Sequence, residues 1–233
     1  MQAGDYIFTR EDDSTYRVCR ILHLDAQANA AHVSAFKALD KDPSGLPLDQ
    51  LELTSMHLPI MASSFADWKV LAQHPLTRDD LAGYFEYLKY TDFTAYLKAT
   101  DQNIDDFVQA AEAKDKEGEA SHDRKDYLAA IEKYRESYEI WPLFYEGMVH
   151  EAICHISLKN YPAAIHCLEN STHIRGNTPF IDCMIGECFY MIRDDENARL
   201  WLNRVKEHKD VHPDDLHAAD KYLAIMDAEA SKR

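Results

Sequence analysis

Residues 150–155 bring histidine, glutamate and cysteine side chains together in the order His-Glu-Ala-Ile-Cys-His. Two histidines with a glutamate beside the first are typical of the zinc-binding helix of metalloproteases, where the histidines stand four residues apart. Here His150 and His155 are five apart, and five residues turn an α-helix by about 500°. The two imidazoles are therefore predicted on different helix faces, about 140° apart, which argues against zinc-protease chemistry.

Further thiols and imidazoles follow at His166, Cys167, Cys183 and Cys188. Together with the histidines of residues 150–155 they could in principle form a metal cluster, because zinc binds thiolate sulfur and imidazole nitrogen. Cysteines inside amphipathic helices are more often buried and inert. We therefore predict no metal site.

Motifs for nucleotide binding and acyl transfer are absent from the sequence. It contains no Gly-x-x-x-x-Gly-Lys-Ser/Thr, Gly-x-Gly-x-x-Gly or Gly-x-Ser-x-Gly segment, and only 7 glycines. We predict no catalytic residue and no cofactor. An enzyme site assembled between two domains, from residues such as His32, His57 or Asp67, is an alternative that the sequence leaves open.

The chain of 233 residues is acidic, with a formal net charge of −16. Residues 101–233 hold 27 acids and 16 bases, against 14 acids and 9 bases in residues 1–100. Such a field repels nucleic acid and speeds encounter with a basic protein, so we expect a basic protein partner and no nucleic acid. A well-solvated surface is the commoner reason for such a charge.

Neither an export signal nor a membrane span is evident. The first residues lack a basic stretch followed by an apolar run, and no segment approaches eighteen consecutive apolar residues. The cysteines are odd in number, and four of them fall in predicted helices. We expect a cytoplasmic protein with free thiols at Cys19, Cys154, Cys167, Cys183 and Cys188.

Four short runs of strand-forming residues occupy the first 62 residues, separated by polar, turn-rich segments. One of them, Tyr16–Leu24, partly alternates apolar and polar residues, which predicts a strand with one face on a core and one in water. The runs favour a small antiparallel sheet or a partly open barrel. They lie at Tyr6–Thr9, Tyr16–Leu24, His32–Leu39 and Leu53–Met61.

The periodicity becomes helical from Ser63 onward, beginning with a short segment at Ser64–Leu71. Thr77, followed by acids at positions 79 and 80, predicts the N-cap of a helix that carries Leu81, Tyr84, Phe85 and Leu88. Further helices are predicted near Asp92–Ala99 and Ile104–Ala113. Gly83 and Ala95 stand twelve residues apart, a spacing that would allow one degenerate helix pair before the clear repeats.

A 34-residue repeat runs through the second half of the chain. Asp126-Tyr127 with Ala130 and Ile131 reappears as Asn160-Tyr161 with Ala164 and Ile165, and Ala198 continues the spacing. Small residues at Gly118, Ala152 and Gly186 share the same period and would let paired helices approach closely. The predicted repeats cover 111–144, 145–178 and 179–212, with a closing helix at Asp214–Ala230.

This pattern resembles the tetratricopeptide family over about 100 residues. The resemblance implies an α-solenoid of stacked helix pairs whose inner surface binds other proteins. We therefore predict an α+β fold: a β-rich domain at 1–75, connecting helices with a possible degenerate repeat at 76–110, and tetratricopeptide-like repeats with a capping helix at 111–233.

Placing the small residues in register predicts which side chains line the inner surface. The first repeat contributes acids together with His122 and Asp123, and the later repeats contribute mainly apolar side chains. Such a surface would suit a basic, amphipathic segment. Alternatively, the acids form an exposed helix face and neighbouring helices cover the apolar positions. The predicted partner-binding residues are Glu112, Asp115, Glu119, Glu146, Ile153, Phe180, Glu187 and Tyr190.

The N-terminal segment, from Gly4-Asp5-Tyr6-Ile7-Phe8 to His57-Leu58-Pro59-Ile60, resembles small β domains of bacterial immunity proteins of the antitoxin type. Together with the acidic charge, this resemblance implies a protein that occludes a cognate basic toxin by steric and electrostatic contact. The alternatives are a general tetratricopeptide scaffold or adaptor that binds a basic amphipathic peptide, and the enzyme described above.

Overall fold

The computed structural model describes residues 1–231, and the chain divides into two compact units, Met1–Gln102 and Asn103–Arg233. The first unit contains an antiparallel sheet followed by two helices, and the second is all helical. The predicted α+β fold, with an open sheet followed by tetratricopeptide-like repeats, is confirmed. The predicted domain limits at 75/76 and 110/111 stay a prediction about independently folding parts.

The sheet of the first unit has five antiparallel strands in the order β4-β3-β2-β1-β5. It is open, because β4 and β5 are edge strands and do not pair with each other. Four strands fall where the sequence predicts them. The strands are β1 (Asp5–Arg10), β2 (Tyr16–Asp25), β3 (Ala30–Phe36), β4 (Leu53–Met61) and β5 (Lys69–Gln73).

The central strand β2 is covered on both faces, which corrects the prediction of one wet face. Cys19 and Ile21 pack in one cluster with Ile7, while Val18 packs in a second cluster with Phe8. Arg20, on the same face as Val18, is buried and pairs with Asp80. Side chains from other segments of the first unit therefore cover both faces of β2.

The fifth strand replaces a predicted helix. The sequence predicts a helix at Ser64–Leu71, but only a single 3₁₀ turn, Ala62–Phe65, forms, and the chain then enters β5. Strand β5 pairs with β1, with Ile7 opposite Val70. A short apolar run is compatible with either structure, and here the pairing with a segment more than sixty residues away decides it.

Two short helices, α1 (Ala82–Thr91) and α2 (Phe93–Thr100), complete the first unit. Thr77 and Asp80 exchange the reciprocal bonds of a capping box, one turn before α1 begins. Gly83 packs on the sheet, because a Cβ atom there would meet atoms of Met56 on β4 at 2.8 Å. The close approach that Gly83 allows is therefore between α1 and β4. That α1 and α2 form a degenerate repeat stays a prediction.

The second unit contains seven helices within the described residues. The first, α3, runs unbroken for 20 residues, so the predicted separate helix at Ile104–Ala113 is the first half of a longer one. The predicted breaks between repeats and the closing helix are confirmed. The helices are α3 (Ile104–Asp123), α4 (Tyr127–Ile140), α5 (Tyr145–Ser157), α6 (Tyr161–Arg175), α7 (Pro179–Met191), α8 (Asp195–Glu207) and α9 (Pro213–Ala230).

The small residues of the repeat bring paired helices together, as predicted. A Cβ atom at Gly118 would lie 2.5 Å from the ring of Tyr134, and one at Gly186 would lie 2.7 Å from Leu202. Because Tyr134, Leu168 and Leu202 share the 34-residue period, each pair sets a large side chain against a small one. Ala130, Ala164 and Ala198 are all fully buried.

The turn inside each helix pair also repeats every 34 residues. Lys125, Lys159 and Arg193 have φ of 62°, 59° and 65°, in the left-handed region. Each is followed by a residue whose N–H bonds to the carbonyl five positions back, the Schellman ending of a helix. The following residues, Asp126, Asn160 and Asp194, are the N-caps of the second helices.

All five cysteines are free thiols, as predicted. In the part of the chain that the structure describes, no helix combines the length and the apolar character needed to cross a bilayer.

Candidate functional site

A pocket of about 400 Å³ opens between the first helices of the first two repeats. Helix α3 contributes acids and an imidazole, α4 contributes a buried phenol, and α5 contributes an imidazole and an aliphatic side chain. The lining residues are Glu119, His122, Asp123, Tyr134, His150 and Ile153. Four of these six are inner-surface positions predicted by the repeat register.

His150 connects α5 to α3 at this pocket. Its Nδ1 donates a hydrogen bond to Oδ1 of Asp115 at 2.9 Å, and Asp115 is only 8% exposed. This hydrogen bond raises the pKa of His150, although burial of the imidazole opposes the shift. Asp115 is therefore largely buried and paired with His150, and its contact with a ligand stays a prediction.

The two other α3 acids at the pocket, Glu119 and Asp123, are exposed and have no ion-pair partner among residues 1–231. On another face of the same helix, Glu117 lies 3.2 Å from the ammonium of Lys114. Lys114 also binds Glu136 of α4, at 2.9 Å. One face of α3 is thus neutralised within the chain, while the pocket face keeps its negative charge.

Two of the three predicted binding residues of the third repeat, Glu187 and Tyr190, form hydrogen bonds within the chain. The hydroxyl of Tyr222 donates to Glu187, and the hydroxyl of Tyr190 donates to Glu229 at 3.3 Å. Both contacts come from α9, which packs on α7 and α8. The closing helix therefore covers this part of the inner surface, one of the two arrangements that the sequence allowed.

The remaining predicted positions keep solvent access without joining the pocket. Glu112 is exposed near the middle of α3, Glu146 is half-buried at the start of α5, and Phe180 is 47% exposed at the start of α7. Nothing in the structure tests whether a partner contacts them, so they stay predictions.

Sequence reasoning missed Tyr134 and His150. His150 lies three residues before Ile153 and four after Glu146, a spacing that puts all three on one face of a helix. That signal was available and could have added His150. Tyr134 belongs to the second helix of its pair, and only the gap left by Gly118 brings its ring to the inner surface.

A second polar cluster lies on another face of α5. Glu151 is 1% exposed, and its Oε1 accepts two hydrogen bonds from Arg135, at 2.9 and 2.6 Å. Its Oε2 accepts from the Tyr138 hydroxyl at 2.8 Å, and His155 Nε2 lies 3.2 Å from Oε1. His150 and His155 thus point to different partners, which confirms the prediction from their five-residue spacing.

Cys167 of α6 completes this second cluster. Donor atoms of Glu151, His155 and Cys167 all lie within 4.8 Å of one another. They border a separate pocket of about 260 Å³ that Arg135 and His166 also line. Burial, and in second place the carboxylate of Glu151, raise the pKa of the Cys167 thiol to about 12.

In the first unit, the two histidines named for an enzyme site lie side by side. Nδ1 of His32 is 2.8 Å from Nε2 of His57, and both rings pack against Tyr84 and Tyr87 of α1. Asp67, the third residue named, is exposed in the turn before β5. The imidazoles are therefore held between the sheet and α1.

No family model matches the sequence, and no curated protein matches it. Solved structures similar to this chain are tetratricopeptide domains. The Arabidopsis OM64 TPR domain is 12% identical, covers 53% of this chain and 98% of its own, and has a TM-score of 0.46.

Two further similar structures contain bound peptides. The first TPR of Spaghetti (RPAP3), bound to the HSP90 peptide SRMEEVD, is 16% identical with a TM-score of 0.46, over 51% of this chain and 96% of that one. The Yersinia enterocolitica type III secretion chaperone SycD, with a peptide of the translocator YopD, is 14% identical with a TM-score of 0.46, over 52% and 94%.

Proposed function

We propose that this protein is a binding module that holds a basic segment of another protein in the pocket between α3 and α5. One observation carries the proposal: Glu119 and Asp123, which have no ion-pair partner among residues 1–231, lie at a pocket that also contains the aliphatic side chain of Ile153. A pocket with negative rim charge and an apolar wall fits a lysine or arginine, whose methylene stem packs while its charged head meets the carboxylates.

The sign of the charge argues against one kind of ligand. The peptide SRMEEVD, bound by the first TPR of Spaghetti (RPAP3), is acidic. Glu119 and Asp123 would repel such a peptide, since like charges brought together cost free energy. A partner with basic residues is therefore favoured over an acidic chain end.

The closing helix limits the length of the surface. Because α9 engages Glu187 and Tyr190, the open inner surface consists mainly of the first two repeats. We therefore expect a short segment, with its basic residues near α3 and its apolar residues near Ile153.

Charge-reversal variants test this function. The change Glu119→Lys with Asp123→Lys should slow association with the partner by roughly tenfold at low salt and weaken its salt dependence. Asp115 is left unchanged, since reversing a buried carboxylate would disturb the fold. The measurement is affinity capture from lysate at low and high salt, followed by stopped-flow association with the captured partner.

The matched control makes the same change in net charge at another place on the surface. It is Glu132→Lys with Glu196→Lys, and both residues are exposed on the second helices of their pairs. It should bind as the unchanged protein does. Equal association for both double variants would remove the α3–α5 pocket from consideration and leave only a general charge effect.

The narrower hypothesis is an immunity protein that neutralises a toxin, and it additionally requires the partner to be toxic. A single stoichiometric partner that is basic and toxic when expressed alone would support it. Several partners that share a short basic segment would instead support an adaptor. The net charge of −16 favours a basic partner in either case.

A further inference from the structure

We infer that Glu151, His155 and Cys167 form a binding site for a divalent transition-metal ion of the zinc type. The three side chains offer a carboxylate oxygen, an imidazole nitrogen and a sulfur, the donors that zinc takes in proteins. They belong to two helices, α5 and α6, so a bound ion would cross-link the helix pair of the second repeat.

The distances allow a metal ion with small side-chain shifts. Zinc–ligand distances of about 2.0–2.3 Å place tetrahedral donors roughly 3.3–3.8 Å apart. His155 Nε2 and Glu151 Oε1 are 3.2 Å apart, and all three donors lie within 4.8 Å. The sulfur of Cys167 has to approach the other two donors by roughly 1 Å or less.

The adjoining pocket gives an ion access to the three donors and leaves room for a fourth ligand. About 260 Å³ of open space borders the three donors, enough for an ion to enter and keep a water molecule. Binding replaces the proton on the Cys167 sulfur with the metal, and the proton leaves to solvent. The resulting site has three protein ligands and one exchangeable position.

Two features limit the affinity. Arg135 already holds Oε1 of Glu151 with two hydrogen bonds, so it competes with the ion for the same oxygen. Its side chain is 52% exposed and can turn into solvent. Nδ1 of His155 is buried without a partner, so the acceptor that normally orients a metal-bound imidazole is missing. We expect weaker binding than in a structural zinc site.

Cobalt(II) titration of the metal-free protein tests the inference, because Co²⁺ in a thiolate site gives a sulfur-to-metal charge-transfer band. The band is expected, and Zn²⁺ should remove it. Cys167→Ala should abolish the band and weaken Co²⁺ binding by at least about tenfold. Cys19→Ala, in the other unit, is the matched control and should leave it unchanged.

The competing arginine gives a second, independent prediction. Arg135→Gln should tighten Co²⁺ binding, whereas a purely structural cluster would only lose stability. If Cys167→Ala fails to fold, alkylation of Cys167 in the unchanged protein decides, since Zn²⁺ should slow the modification of this half-buried thiol. No thiolate band, or a band that survives Cys167→Ala in folded protein, would overturn the inference.

Discussion

Nδ1 of His32 lies 2.8 Å from Nε2 of His57, and α1 covers the pair with two tyrosine rings. In this contact one nitrogen donates and the other accepts, which requires at least one neutral imidazole. Burial lowers the pKa of both histidines; in second place His23 adds to the shift of His32, and His32 to that of His57. Asp25 opposes the shift of His32 as a smaller contribution.

This pair makes the first unit sensitive to acid. Folding lowers the pKa of such a histidine below the value of about 6.5 that it has in the unfolded chain. The neutral imidazole therefore contributes stability to the native state above that pH, and the contribution is lost as pH falls through the folded pKa. After correction for intrinsic exchange rates, the amides of β3 and β4 should therefore exchange with solvent faster at about pH 5.5 than at about pH 7.5.

His57→Gln should reduce that pH dependence, because it removes one of the two imidazoles whose pKa is lowered by burial. His217→Gln, at an exposed position of α9, is the control and should leave exchange in β3 and β4 unchanged. A pH dependence that persists in full in His57→Gln would show that another group of the first unit is responsible.

Gly118→Ala should destabilise the second unit by about 1–3 kcal/mol, the usual cost of overpacking, even though alanine favours helix by about 1 kcal/mol. The added Cβ would lie 2.5 Å from the Tyr134 ring, which is buried. Urea unfolding measures the change. Tyr134→Leu should relieve the clash, so the loss from Gly118→Ala should shrink in that background.

Lys159→Gly should stabilise the protein by about 0.5–1 kcal/mol, because glycine adopts the left-handed conformation without the cost that other residues bear. Its φ is 59°. Lys116→Gly, at an exposed position inside α3, is the matched control and should destabilise by about 1 kcal/mol. Thermal unfolding of both variants, compared at equal ionic strength, distinguishes the two effects.

Asp182→Ala should cost about 2–3 kcal/mol, since this fully buried carboxylate accepts a hydrogen bond from Asn177 at 3.0 Å and one from His208 at 2.8 Å. These hydrogen bonds connect α7 to Asn177, just before the helix begins, and to His208, just after α8 ends. Asp220→Ala breaks an exposed pair with Lys206 and should change stability by less than about 0.5 kcal/mol. Equal losses for the two variants in urea would contradict this account.

Much of the second unit follows from sequence because its contacts are local. The 34-residue period determines helix pairs, and the matched positions Gly118 with Tyr134 and Gly186 with Leu202 determine their close approach. Caps and turns recur with the same period. Each of these features involves residues within about twenty positions of one another, so composition and spacing are sufficient to predict them.

The sequence by itself thus determined the α+β division, the repeat and the opposite faces of His150 and His155. Tertiary structure alone decided that β5 pairs with β1 and that residues of α9 form hydrogen bonds with Glu187 and Tyr190. It also brought the donor atoms of Cys167 and Glu151 within 4.8 Å of each other. It also decided which acids stay free. Glu117 and Glu119 are two residues apart and chemically alike, yet only Glu117 pairs with Lys133 of α4, at 3.8 Å. Such outcomes depend on side chains from separate elements meeting in space, and no period in the sequence encodes that meeting.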